Sequence, residues 1–319
     1  MSTEALIIRP QSRDSLEDYQ ALAALYHYAY PEESVTATSL KLADGARASE
    51  LVCRRWFAEE NGTIRGVGGF EHWEAYFHRD KYLLHMIVAP DFKNRGIGST
   101  LYNTVVKDLE LRQPQFVRAW VQQNHEKSIA FAEHRGFGRI KLKWNIRLEL
   151  KSWNLESYRE QAEAIRSTGI EVKSLAQINR DSANIRKLFE LYVMTLNSIE
   201  AADTAKIPSF DEFTQQIDQG SDELFFIALE QNRFVGMWQL ENESVNSLFG
   251  GIMAVAPEYR RRGAAFALAV HGISQAKFFQ YKTLTVHTDE HNKAILALTE
   301  KMGFTHLPAQ IFFSKQYRR

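Results

Sequence analysis

Cysteine is nearly missing from this sequence. The 319 residues hold one, Cys53, so no internal disulfide framework can form, and a reducing compartment fits. Net charge is missing too, because 39 basic residues face 39 acidic ones. That balance speaks against a nucleic-acid groove and against attraction to an acidic membrane surface. No stretch approaches the ~18 apolar residues of a membrane helix. The opening MSTEALIIRP has no basic region followed by a long apolar core, so it does not read as a secretory leader. No metal site is expected. Together these absences predict a soluble, cytoplasmic chain with neither nucleic-acid nor membrane partners.

What is present is apolar material for more than one core. At 319 residues and 45% hydrophobic composition, two domains are the expected count. The sequence also repeats itself. LLHMIVAPDFKNRGIGSTLY (83–102) returns as GGIMAVAPEYRRRGAAFALA (250–269), with Pro90 matched by Pro257 and Gly96 by Gly263 at an offset of 167. Gly136-Phe137 returns as Gly303-Phe304 at the same offset, and Asn124 returns as Asn292, one residue out. Solenoid repeats are only about 20–50 residues long, so this spacing means two copies of a whole domain.

Each copy is an apolar strand closed by proline, then a basic glycine-bearing loop, then a helical pattern. The first-turn N–H groups of such a helix lack intrahelical acceptors, and with the positive end of its dipole they form an anion site suited to phosphate. The loops read Lys93-Asn94-Arg95-Gly96-Ile97-Gly98-Ser99 and Arg260-Arg261-Arg262-Gly263-Ala264-Ala265. Small residues let a diphosphate approach the backbone, and the basic ones supply countercharge. Neither loop ends in the Gly-Lys-Ser/Thr of a nucleotide-hydrolase loop, and Gly96-x-Gly98 lacks the third glycine of a dinucleotide fingerprint.

This pattern resembles the GNAT superfamily of acyl-CoA-dependent N-acetyltransferases. The family signature Val-x-Pro-x-x-Arg/Gln/Lys-x-x-Gly-x-Gly/Ala is matched at every position from Val88 to Gly98 and again from Val255 to Ala265. Its second signature, Asn-x-x-Ala-x-x-Phe-Tyr-x-x-x-Gly-Phe, is similar to Asn124–Phe137 and Asn292–Phe304. The doubled arrangement resembles the bacterial tandem type that includes mycothiol synthase. The resemblance implies an α/β fold of two GNAT domains, each a mixed, largely antiparallel sheet with helices on both faces. It implies that both loops hold the pyrophosphate of acetyl-CoA or another acyl-CoA, helped by Asn124, Phe131 and Asn292. It also implies that backbone N–H groups of Ile87, Val88, Ala254 and Val255 bind pantetheine and the thioester oxygen. The acceptor would be an amine of a small molecule or peptide, attacked directly in a ternary complex, by a monomer or homodimer.

Domain limits follow from the pattern: 1–150, a polar connector at 151–168 that is partly helical and stops at Gly169, and 169–319. In the first copy, strands are expected at 5–9, 51–57, 64–73, 82–88, 116–121 and 140–150, with Asn61-Gly62 a hairpin turn. Helical spacing covers 15–28, the stretch after Gly96, and 126–135. The second copy repeats the order. The resemblance implies that the acceptor pocket is built from segments at roughly 15–50 and 195–220.

Acyl transfer to an amine needs a base. Deprotonating a lysine-like amine near pH 7 costs about 4–5 kcal/mol. His85 interrupts an apolar strand three residues before Val88 and is the first candidate, with Glu71, His72 and Glu74 behind it. In the second copy His85 is replaced by Ile252, and Glu241, Glu243, His287 and Asp289 are the nearest groups. The first copy therefore has the better base. The family's acid, the tyrosine of the Phe-Tyr pair, is absent from both: Ala132 and Thr299 stand there. Each candidate also has a plain reading. His85 fits a buried histidine satisfied by the backbone, the carboxylates fit solvated faces, and the two asparagines fit helix caps. Trp56, Phe57, Trp73, Tyr76 and Phe77 fit core packing as well as an acceptor cleft. Gly66-x-Gly68-Gly69, inside a strand, fits close packing or a bulge. The missing tyrosines leave open a CoA-binding module for sensing or scaffolding, with one or both copies inactive.

Overall fold

The computed structural model describes residues 6–30, 35–72, 77–197 and 207–317. Trp73, Glu74, Tyr76 and part of 195–220 lie outside the described residues. In chain order the first elements are β1 (Ile7–Pro10), α1 (Leu16–Ala29), α2 (Ala37–Ala46), β2 (Cys53–Glu60), β3 (Thr63–Glu71) and β4 (Lys81–Val88). Then come α3 (Ile97–Glu110), β5 (Phe116–Gln122), α4 (Glu126–Glu133), β6 (Gly138–Glu149) and α5 (Glu156–Ser167). They are followed by β7 (Ile170–Ser174), α6 (Ser182–Asn197), α7 (Phe210–Gln219), β8 (Phe225–Glu230) and β9 (Arg233–Ser244). The chain closes with β10 (Ser247–Val255), α8 (Ala264–Phe278), β11 (Thr283–Asp289), α9 (Lys293–Lys301), β12 (Thr305–His306) and β13 (Gln310–Gln316). This is the mixed α/β architecture that the sequence predicts.

Two compact units divide the chain: Met1–Ile140 with Ile311–Arg319, and Lys141–Gln310. They differ from the segments 1–150 and 169–319 read from the repeat. β13, last in sequence, belongs to the first unit and neighbours β5. β6 runs mostly in the second unit, antiparallel to β11 from Glu149↔Thr283 to Lys143↔Asp289. Repeat spacing counts copies along the chain and is blind to which sheet takes each closing strand.

In the first unit β1 to β4 form an antiparallel run, and the β2–β3 turn is Asn61-Gly62 with φ of 54° and 71°, the left-handed pair that a type I′ hairpin requires. α1 starts at Ser15, whose hydroxyl accepts from the Asp18 N–H. Its apolar spacing buries Tyr19, Leu22 and Leu25 against Phe57, Val67 and Ile87 on one face of the sheet. α3 covers the other face, where Gly66 and Gly68 leave room for Leu101 and Val105. Close packing is therefore the role of that glycine run. β4 and β5 are parallel and in register only from Lys81↔Phe116 to Leu83↔Arg118, although β4 continues to Val88. The two strands part beyond Leu83.

The second unit repeats this plan in the order β6-β11-β10-β9-β8-β7. Its parallel pair, β10 and β11, is in register from Ser247↔Thr283 to Gly250↔Val286 and then parts. α5, expected as a polar connector, is part of this unit's core, with Ile165 buried and Tyr158 and Ala162 packed against the cluster, and Trp153 is buried just ahead of it. Tyr158, Ala162 and Ile165 recur at i, i+4, i+7, a helical stripe that the polar composition of 151–168 obscures.

Candidate functional site

At the mouth of the first opening the chain turns through two left-handed residues, Asn94 (φ 66°) and Gly96 (φ 84°), and enters α3. Gly96 caps the helix without a side-chain bond, and Ser99 and Thr100 N–H groups both donate to its carbonyl at 3.0 Å. The Ile97 and Gly98 N–H groups belong to the first turn and have no intrahelical acceptor. A Cβ built on Gly96 would meet nothing within 4 Å, so the space above this turn is open. Lys93, Arg95 and Ser99 are exposed around it. Arg95 reaches Glu60 at 3.2 Å and lies over the Phe92 ring.

Two residues that sequence reasoning missed complete this mouth. Arg135, two residues past the end of α4, lies 3.4 Å over the Phe131 ring and donates to Ser99 Oγ at 2.9 Å. Phe131 itself is the nearest side chain to Gly98. His125, not Asn124, is the N-cap of α4, and its place corresponds to Asn292, the N-cap of α9. Counting back 167 positions from Asn292 would have found it. Asn292 Oδ1 accepts from the Ile295 N–H at 3.3 Å, whereas His125 makes no such bond and Asn124 is exposed in the turn before it. Burial and the charge of Lys93 hold the His125 imidazole below its usual range.

Strand alternation decides which N–H groups face the opening. The Ala89 N–H donates to Arg65 O at 2.8 Å, so Arg65 and Ala89 exchange ladder bonds, as do Val67 and Ile87 two positions on. The Ile87 N–H is therefore spent on β3. Val88 and Met86 are directed toward β5, across the gap. The same holds in the second copy, where the Ala256 N–H donates to Val235 O. Ala254, opposite Met237, is spent on β9, and Val255 faces the gap. Of the four expected backbone donors, Val88 and Val255 are available, and Ile87 and Ala254 are not.

On the α1 face of β4, His85 lies opposite Gly69 with its ring over that glycine. Both ring nitrogens are buried, and among the described residues neither has a hydrogen-bond partner. Burial pushes its pKa down to about 4, while the charge of Glu71 acts the other way. Glu71 is paired with Arg47 at 2.8 Å. Nearby, Asp44 accepts from Arg55 and from the Tyr19 hydroxyl, and Arg55, Arg47 and the hydrogen bonds hold its carboxyl below the usual range. His72 is structural: its Nδ1 accepts from the Val52 N–H at 3.0 Å, which leaves Nε2 to donate to Arg79 O at 3.1 Å. Trp56 and Phe57 are core, and Phe77 is exposed with its edge against His72. Among the described residues, His85 is a buried imidazole with both ring nitrogens unbonded, set among ion-paired neighbours.

The second opening is built alike and finished differently. Arg261 (φ 61°) and Gly263 (φ 91°) repeat the turn, and Arg262 pairs with Glu230 as Arg95 does with Glu60. Arg260 donates to Val255 O. A Cβ on Gly263, however, would stand 2.6 Å from both Cδ1 and Cγ1 of Ile165 in α5. Ala264 is buried and Ala265 half-buried on α8. Around the gap, Glu241 Oε1 lies beside Gly251, and burial raises its carboxyl above the usual range. His287 packs edge-on to Phe249 and is pushed down to about 4 by burial and by Lys143. Asp289 faces Lys141 at 3.8 Å, and Glu243 is exposed. Among the described residues no cluster could hold a metal ion, and no helix is long and apolar enough to cross a membrane.

A parallel strand pair that parts at a glycine-turned helix N-terminus, built twice in one chain, defines an acyltransferase architecture of paired domains. The acetyltransferase (GNAT) family model matches residues 17–137 and 186–304, and the chain belongs to this family as a tandem N-acetyltransferase. Mycothiol acetyltransferase of Paenarthrobacter aurescens (strain TC1) is 21% identical over 238 residues, covering 72% of this chain and 69% of that protein. A GCN5-related N-acetyltransferase from Sphaerobacter thermophilus matches 98% of this chain and 96% of its own, with TM-score 0.73 at 15% identity. A tandem GNAT protein from the clavulanic acid biosynthesis pathway covers 98% of both chains, with TM-score 0.71 at 13% identity.

Proposed function

We propose that the first copy transfers an acyl group from acetyl-CoA, or another acyl-CoA, to a primary amine of a small molecule or peptide by direct attack in a ternary complex. The observation that carries this reading is the open space above Gly96 at the mouth of the parted strands β4 and β5. Bound there, acyl-CoA supplies a thioester carbonyl open to attack by an amine. The Ile97 and Gly98 N–H groups and Lys93 hold the diphosphate, and the Val88 N–H, directed into the gap, holds the pantetheine chain or the carbonyl oxygen. His85 is neutral at pH 7 and has a free ring lone pair for the proton that the amine must lose; burial, Arg55 and Arg47 oppose the charged form that results and Glu71 favours it, so the ring serves as a weak acceptor. Likeness to a mycothiol acetyltransferase favours a small-molecule acceptor.

The test is release of free thiol from acetyl-CoA over a panel of amines, with wild type and His85→Ala. Turnover that falls at least tenfold in the variant supports His85 as the base, and unchanged turnover removes it. A second reading, a CoA-binding module without turnover, is favoured by Ala132 and Thr299 at the acid's position. Tight acetyl-CoA binding with no thiol released by any amine would select that reading.

A further inference from the structure

The two anion loops share a sequence signature and a backbone turn, yet their surroundings are opposite. α3 keeps a polar outer face, with Ser99, Thr100 and Asn103 exposed. At the matching positions of α8, Phe266 and Val270 are buried, 6% and 5% exposed. α5 covers them. The Tyr158 ring lies against Phe266, and Tyr158 stacks on Trp153 with centroids 5.3 Å apart and planes 11° from parallel. Ile165, two residues from the end of α5, sits on Gly263 itself. At the far side of the groove, Arg135 of the first copy is replaced by Met302, which is 1% exposed. α5 stands directly before β7, the first strand of the second copy.

We propose that α5 is the resident occupant of the second anion loop, so that the chain binds one acyl-CoA, at Gly96, and the second loop is closed to it. This rests on the reading of the first loop as an acyl-CoA site. A diphosphate needs to approach the backbone at the N-terminus of α8. Ile165 fills that approach with hydrocarbon, which neither solvates the anion nor donates to it. Lifting α5 away would expose Phe266 and Val270, the apolar face that α8 has in place of a polar one, and would uncover Trp153 and Ile165. The Arg260-Arg261-Arg262 run keeps the family signature after the site it served has been filled from within the chain.

Calorimetric titration of acetyl-CoA should give one site in wild type and none in Gly96→Glu. Two sites in wild type, or a residual site in Gly96→Glu, would overturn the proposal. A measurement that needs no ligand follows the cover directly. Gly263→Ala should lower the melting temperature more than Gly96→Ala, because both strain a left-handed residue but only Gly263 meets Ile165. In an Ile165→Ala background the extra loss should disappear. Equal losses from the two glycine variants, with no coupling to Ile165, would also overturn it. Absence of acetyl-CoA binding in every variant would instead refute the reading of the first loop, and the melting cycle would still decide whether α5 occupies the second.

Discussion

The Gly96 and Gly263 turns have φ within 7° of each other (84° and 91°) and the same arginine-to-glutamate pair beside them, but one faces open space and the other an isoleucine. A signature in the chain therefore certifies a backbone conformation, and the conformation alone does not make a site. Occupancy depends on what packs above the turn. In the first unit that neighbourhood is polar and carries Ser99 and Arg135. In the second it is apolar and carries Phe266, Met302 and a helix from outside the repeat.

The strongest way to break this contrast is to place a carboxylate in each turn. Gly96→Glu sets a like charge against the diphosphate, a cost of several kcal/mol, so acetyl-CoA turnover should fall about 100-fold to 1000-fold. Gly263→Glu, judged at a temperature where it remains folded, should leave turnover within about threefold of wild type. Comparable losses from both variants in steady-state assays would erase the distinction drawn between the copies.

Acidification compares the two units through their buried histidines. His85 and His287 both titrate near 4 in the folded chain, against 6.5 for an unperturbed imidazole. Between those values the unfolded chain binds more protons, so stability present above pH 6.5 is lost as pH falls toward 4, by about 3 kcal/mol at most for each histidine. Denaturant unfolding across that window should show the slope, and His85→Gln and His287→Gln should each flatten part of it. A slope indifferent to both substitutions would mean that other groups set the acid limit.

Smaller effects sharpen the contrast at the groove. Arg135→Ala removes a cation beside Ser99 and should weaken acetyl-CoA binding about threefold to tenfold, corresponding to about 1 kcal/mol. Met302→Ala should leave that affinity unchanged while lowering stability, and titration with thermal melting separates the two. Least of all, His125→Asn should restore to α4 the cap that Asn292 gives α9 and raise stability by about 0.5–1 kcal/mol. A neutral or destabilising result would show that His125 has a role in the loop beyond its place in the helix.

Much of this was legible in one dimension. Alternation, helical spacing and the Asn61-Gly62 turn locate the elements, because each reports a local backbone preference. The duplication locates both loops, because glycine in a left-handed turn is a chemical requirement of the chain at that point. His85 stands out because a histidine breaks an apolar strand. Other features were not legible. His72 and His85 look alike in sequence, but the Val52 N–H and the Arg79 carbonyl satisfy one, and no described residue satisfies the other. Ile87 and Val88 are equivalent apolar letters until the Ala89–Arg65 bond sets which N–H faces the gap.

By itself, then, the sequence determined that there are two copies, that each turns a basic loop into a helix through a left-handed glycine, and that the first copy alone carries a histidine at the critical strand. Those are local facts, written in residue type and spacing. Only the tertiary structure decided that β13 belongs to the first unit, that Arg135 and His125 stand at the first mouth, and that α5 lies on the second. Each of these joins residues distant in sequence. Ile165 and Gly263 are nearly a hundred positions apart, and no spacing rule announces that the side chain of one fills the space the other leaves.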